Sequence, residues 1–197
     1  MDFNSITVPV VKGLSTAQIE IEATQFLERF APECLNAPSP TPILEIFENK
    51  MEALDFKVVI GKNVRGLGGL TDVTNRFIKL PNATYKRLEN GDAQARFTVA
   101  HEMGHALLHA KEGAFGSFPF RHQVTFARRS RIRAFEDPEW QANTFAAAIL
   151  MPMKSLRVLQ SQERLYADEV MNVFQVSWSA ANRRILKFRE IPWRKSP

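Results

Sequence analysis

An α+β fold is predicted for this chain from three observations. Apolar residues recur at helical spacing from about residue 15 to 55, and short β-branched, glycine-rich segments follow to about 81. Helical spacing then returns after two strong helix-start signals, at Asp92 and at Asp137. Helices, then a small antiparallel sheet, then helices again is the α+β order. The expected boundaries are 15–55 for N-terminal helices, 56–81 for the sheet, 92–152 for two long helices and 153–190 for a C-terminal helical part. All fall in a single domain spanning 1–197.

The elements follow in turn. Ser15 and Gln18 match a capping box, and Ile19, Ala23, Phe26, Leu27 and Phe30 repeat on one helical face behind it. "APECLNAPSPTP" (31–42), with four prolines, reads as a linker or extended loop. Pro42 suits the first turn of a second helix with Ile43, Phe47, Met51 and Leu54 inside. "FKVVI" (56–60) and "RFIKL" (76–80) read as strands, with a bulged strand in "GKNVRGLGGLTD" and a turn near Thr74–Asn75. Asp92 is the expected N-cap of a helix from about 93 to 110. Asp137 and Pro138 open another, which Pro152 ends. Shorter helices follow, the last capped by Ser177 and carrying Trp178, Ala181, Ile185 and Phe188. The segments 167–174 and 178–188 have the lengths of a helix-turn-helix but read as a packed helical pair.

Composition narrows the function. Hydrophobic residues make up 45% and charged residues 24%, values of an ordinary globular protein rather than a disordered one. The single cysteine, Cys34, leaves no internal disulfide and no paired-cysteine zinc ribbon. The start lacks signal-peptide features and no window has the ~18 apolar residues of a membrane span. A cytoplasmic location is expected. The net charge is +5, concentrated in Arg121, Arg128, Arg129, Arg131 and Arg133 and in the C-terminal Arg183, Arg184, Lys187, Arg189, Arg194 and Lys195. Such clusters are solvated faces or contacts to an acidic or nucleic-acid partner.

Three of the four histidines lie in "FTVAHEMGHALLHA" (97–110). His101-Glu102-Met103-Gly104-His105 is an H-E-x-x-H motif on a predicted helix. Four residues turn ~400°, so both imidazoles leave one side and can converge on one ion. Glu102 lies ~100° round the helix, poorly placed as a ligand but placed to act as general base on a water at the ion. Gly104 leaves space for a second helix beside the site.

A catalytic zinc site takes three protein ligands and keeps one position open. His109 lies ~12 Å along the axis from His101, too far for both to bind one ion. It is expected to support the site by hydrogen bonding or to be structural. The acidic cluster Glu136, Asp137 and Glu139 opens the second long helix. Asp137 serves as N-cap, Glu139 is the candidate third ligand with Asn143 one turn on, and Glu136 is the fallback. His122 reads as a surface residue, with a role as metal ligand or proton donor as the alternative.

"RFTVAHEMGHALLH" (96–109) followed by "EWQANTFAAAILMP" (139–152) resembles the ImmA/IrrE family of metallopeptidases. The sheet before the first motif and "FQVSWSAANRRIL" (174–186) after the second resemble that family's order. The resemblance implies a zincin-like fold with one Zn2+ ion on His101, His105 and Glu139, Mn2+ or another divalent ion being the alternative, and Glu102 as the catalytic glutamate. It implies a zinc-dependent endopeptidase that cleaves a helix-turn-helix repressor in a stress response or in mobile-element control. Two departures stand out. Gln141 replaces a glutamate of the second motif, which is expected to spare the ligand, and residues 111–135 are unusually rich in arginine and phenylalanine. Arg121, His122, Arg128, Arg129 and Arg131 are therefore candidate substrate contacts, and His109, His122 or an arginine from 121–133 is the candidate to stabilise an oxyanion. Two rivals remain: a non-proteolytic zinc-binding regulator acting on a repressor or DNA, and a toxin-like peptidase acting on another cellular protein.

Overall fold

The computed structural model describes residues 7–9, 11–62, 68–110, 126–128 and 133–190. Strand β1 (Thr7–Pro9) precedes helices α1 (Thr16–Phe30), α2 (Glu33–Asn36) and α3 (Ile43–Asn49), and a 3-10 turn at Met51–Leu54. Strands β2 (Lys57–Gly61), β3 (Leu70–Asp72) and β4 (Phe77–Pro81) come next, then α4 (Asn82–Glu89) and α5 (Ala93–His109). After β5 (Phe126–Arg128) and a 3-10 turn at Ala134–Glu136 come α6 (Pro138–Leu150), α7 (Met153–Ser161), α8 (Ala167–Phe174) and α9 (Trp178–Glu190). The fold class is α+β, as expected.

The local start signals act as their chemistry requires. Ser15 Oγ accepts from Gln18 N at 3.3 Å while Gln18 Oε1 accepts from Ser15 N at 2.9 Å, a reciprocal capping box on α1. Asp92 accepts from Ala95 N at 2.8 Å at the start of α5. Asp137 accepts from Glu139 N at 3.0 Å at the start of α6, with Pro138 as its first residue. Helix α6 is buried on nearly every side, through Gln141, Ala142, Phe145, Ala146, Ala148, Ile149 and Leu150, and packs on α5 and α1. The core continues through Ile19, Phe26, Leu27, Phe47, Val99, Met103, Leu156, Phe174 and Phe188.

Glycine sets the closest contact in this core. A Cβ on Gly104 would lie 3.0 Å from Ala142 Cα and 3.1 Å from its carbonyl oxygen, so α5 and α6 meet backbone to backbone. The expectation that Gly104 makes room for a second helix holds.

Several sequence readings need correction. The sheet is mixed, not antiparallel: its order is β2-β4-β3, with β4 antiparallel to β3 but parallel to β2. The turn at residues 73–76 makes the β3–β4 hairpin. β2 and β3 are therefore two strand spacings apart, ~10 Å at the usual spacing, with β4 between them. The second helix is shorter than expected. It breaks at Lys50 into the 3-10 turn, which Asp55 ends in the left-handed region at φ 61°. Helix α2 gives the proline-rich stretch one helical turn. Helix α4 and the antiparallel β1–β5 pair are additions to the predicted elements. Of the apolar residues on the last helix, Trp178 is 51% exposed, whereas Ala181, Ile185 and Phe188 are buried. Helices α8 and α9 join the main core through Val170, Phe174, Ala181 and Ile185, the packed pair expected. Ala180 N donates to Ser177 Oγ at 3.2 Å at the start of α9.

The C-terminal basic cluster divides. Arg183, Lys187 and Arg189 are exposed, but Arg184 is buried, donating from Nε to Met151 O at 3.0 Å and forming a two-pronged ion pair with Glu20 of α1. Breaking one side of a buried pair leaves the other charge uncompensated. Glu20→Gln is therefore expected to lower unfolding free energy by about 3 kcal/mol in urea titrations. Arg183→Gln, on the wet side of the same helix, is expected to change it by less than about 0.5 kcal/mol.

Candidate metal centre

The centre is built where α5 and α6 touch. His101 and His105 lie one turn apart on α5, and Glu139 lies in the first turn of α6. His101 Nε2 is 3.0 Å from His105 Nε2, and the two Glu139 oxygens lie 3.3 Å from one imidazole each. These are the one described group of three histidine, cysteine or carboxylate side chains whose donor atoms converge on a common point. Both imidazoles are largely covered, and Glu139 is about half exposed, so the cluster opens to solvent on the carboxylate side. Glu136, the fallback ligand, stays in the 3-10 turn outside this group.

The protonation pattern suits a cation. His101 Nδ1 is 3.0 Å from Asn143 Oδ1, to which it donates, so the lone pair of its neutral form is on Nε2. His105 Nδ1 is 2.9 Å from His109 Nδ1, and His109 Nε2 is 3.2 Å from Gln141 Oε1. Hydrogen bonds to His101 and His105 keep the Glu139 carboxyl well below the usual carboxylate range. Burial pulls the His101 pKa down, but Glu139, Glu102 and Asn143 outweigh it and raise it above the ordinary histidine value. Burial, reinforced by His105, pushes His109 down to about 3, so it is neutral at pH 7.

Two imidazole nitrogens at 3.0 Å and an anionic carboxylate at 3.3 Å form an electron-rich cluster that needs a proton or a metal at its centre. Donors bound tetrahedrally at about 2.0 Å lie about 3.3 Å apart, so these spacings fit a metal without rearrangement. Two nitrogens and one carboxylate make the His₂Glu set found in zinc hydrolases.

Glu102 is buried beside this cluster. Thr71 Oγ1 on β3 lies 2.7 Å from Glu102 Oε2, to which it donates, and 3.0 Å from the Glu102 main-chain oxygen. Gly69 leaves the carboxylate its room: a Cβ there would come within 2.8 Å of Glu102 Cγ. Sequence reasoning missed Thr71 and Gly69, because their partner is distant in the chain and "GGLTD" reads only as a bulged strand. His109, buried with both ring nitrogens engaged, is not placed to meet an oxyanion. Arg121, His122, Arg129 and Arg131 lie outside the described residues. The backbone of Arg128 pairs with Thr7 in the β1–β5 ladder, and its side chain also lies outside the description.

Helix placement, donor set and neighbouring carboxylate make this cluster the candidate metal centre. The sequence model of the IrrE N-terminal-like domain (Peptidase_M78) matches residues 88–186, and the chain belongs to that family. Family membership supports a metallopeptidase-type role and implies a divalent metal. Among solved structures, a Mycobacterium tuberculosis transcriptional regulator has the same fold, with a TM-score of 0.54 and 14% identity over 90% of this chain. The match spans 58% of that regulator's length. No curated protein matches the chain. No helix among the described residues is long and apolar enough to cross a membrane.

Zinc in excess of its dissociation constant is expected to raise Tm, by about 2.7 kcal/mol of added stability at 100-fold excess, and a chelator to reverse the shift. Glu139→Gln is expected to abolish the shift in thermal unfolding, while Glu136→Gln retains it. The opposite pattern would place the third ligand at Glu136.

Proposed function

We propose that the chain is a zinc-dependent endopeptidase whose substrate is a DNA-binding repressor protein. The observation that carries the reading is the pairing of the His101–His105–Glu139 set with a buried, oriented carboxylate, Glu102, one residue along the same helix. Two nitrogens and one oxygen favour zinc over magnesium or calcium, which prefer all-oxygen sites. A zinc ion in this set would polarise a peptide carbonyl and bring the pKa of water towards ~7.

The residues of the chain divide the remaining work. Asn143 keeps the His101 ring turned so that Nε2 faces the centre. Glu102 takes the proton of the attacking water and passes it to the leaving nitrogen. Thr71 fixes the Glu102 carboxylate by a bond to Oε2, and the carboxylate packs against Gly69, which precedes the edge strand β3. That edge offers main-chain groups to an extended peptide, the usual way a cleft beside a sheet captures one. The arginine-rich residues Arg121, Arg128, Arg129 and Arg131, with His122, are proposed to contact an acidic or DNA-bound substrate, and the location is proposed to be cytoplasmic.

Cleavage of a repressor incubated with the zinc-loaded chain is the direct test. Glu102→Gln is expected to keep its zinc-induced thermal shift and lose at least about 10²-fold in cleavage rate, the usual contribution of a general base. Undiminished cleavage by that variant would remove Glu102 from the mechanism. Repressor binding with no cut by the parent chain would favour the non-proteolytic regulator. Gly69→Ala is expected to slow cleavage while leaving the zinc shift, since its Cβ displaces the Glu102 carboxylate and not a ligand.

A further inference from the structure

We infer that His109 and Gln141 are positioning residues: together they determine which nitrogen of His105 faces the metal centre. The inference rests on His105 being a ligand, and deepens that reading by naming what prepares it.

Two main-chain carbonyls set the polarity of the network. Gln141 Nε2 lies 2.9 Å from Lys12 O and 2.7 Å from Phe135 O. A carbonyl oxygen only accepts, so the Gln141 amide must present its NH₂ to both. Its Oε1 is then fixed towards His109 Nε2, 3.2 Å away. That oxygen also only accepts, so the proton of His109 is on Nε2. A neutral imidazole has one N–H, which leaves His109 Nδ1 as an acceptor. It faces His105 Nδ1 at 2.9 Å, so His105 carries its proton on Nδ1. The lone pair of His105 is left on Nε2, the atom 3.0 Å from His101 Nε2 and 3.3 Å from Glu139 Oε1. Each link then has one polarity: His105 donates to His109, His109 to Gln141, and Gln141 to the carbonyls of Lys12 and Phe135.

This gives Gln141 a reason to be an amide. A glutamate here would set a carboxylate against two carbonyl oxygens with no hydrogen to share. The glutamine is fully buried, so water does not relieve that contact. It also makes residues 11–14 part of the centre. Val11 N donates to Glu136 O at 3.2 Å and Leu14 N to Phe135 O at 2.9 Å, which holds the Lys12 carbonyl over Gln141. Residues more than 80 positions from His101 thereby help to orient its neighbour His105.

The test reads tautomers and affinity, not cleavage. Nitrogen NMR of the ¹⁵N-histidine-labelled, metal-free chain at neutral pH is expected to find His105 protonated on Nδ1 and His109 on Nε2. A metal-free chain with His105 protonated on Nε2 would overturn the inference without any variant. Zinc affinity, from competition with a chromophoric chelator, is expected to fall about 10–100-fold in His109→Phe and in Gln141→Glu. His109→Asn, whose Oδ1 can accept from His105 Nδ1, is expected to recover most of that loss. Folded His109→Phe with unchanged zinc affinity would also overturn it. If the parent chain binds no zinc, the ligand reading fails instead, and the metal-free tautomers still decide the relay on their own.

Discussion

Gly104 lets α6 approach α5 until a side chain at that point would meet the Ala142 backbone at 3.0 Å, and the centre depends on that contact. Around it, three successive functional positions of α6 find partners on α5. Glu139 reaches His101 and His105, Gln141 reaches His109, and Asn143 reaches His101. Move the helices apart by the thickness of a methyl group and all three reaches lengthen together. The glycine is thus a constraint on chemistry as much as on packing.

A close helix pair gathers groups that repel one another, and the surroundings must offset this. Ser15, Asp92 and Asp137 settle the helix starts, so few orphan amide groups add to the cost. The apolar body of α6, from Phe145 to Leu150, anchors its far end in the core while Glu139 stays at the solvent-facing first turn. Arg184 ties the end of α6 to α1 through Met151 O and Glu20. Arg96 performs a similar service at the start of α5, donating to Thr41 O at 3.0 Å. Helix α5 is therefore tied near its start and α6 at its end, which limits how far the electron-rich cluster can relax by opening.

What the sequence disclosed and what it hid divide along one physical line. Features set by near neighbours were legible: the capping box at Ser15, the N-caps at Asp92 and Asp137, and the one-turn spacing of His101 and His105. The pairing of Glu139 with those histidines followed from the helix-start signal, and the family resemblance pointed to the same residue. Features set by distant partners were not. The parallel pairing of β2 with β4 joins strands that are not consecutive in the chain, which local sequence signals do not reveal. Trp178 lies on the predicted apolar face of α9, yet the core closes over Ala181, Ile185 and Phe188 without it. Gln141 looked like a neutral departure because its determinants, Lys12 O and Phe135 O, are main-chain atoms that side-chain identities do not reveal. Thr71 escaped notice for the same reason: a threonine in a short strand carries no sign that its hydroxyl meets a carboxylate 31 residues away.

In the proposed centre His101, His105 and Glu139 together hold one divalent ion between the two helices. A crystal of the zinc-loaded chain, measured on both sides of the zinc absorption edge, tests it most directly. One anomalous peak per chain is expected within bonding distance, about 2.0–2.2 Å, of both Nε2 atoms and a Glu139 oxygen. A peak bound elsewhere, or none between these three side chains, would contradict it.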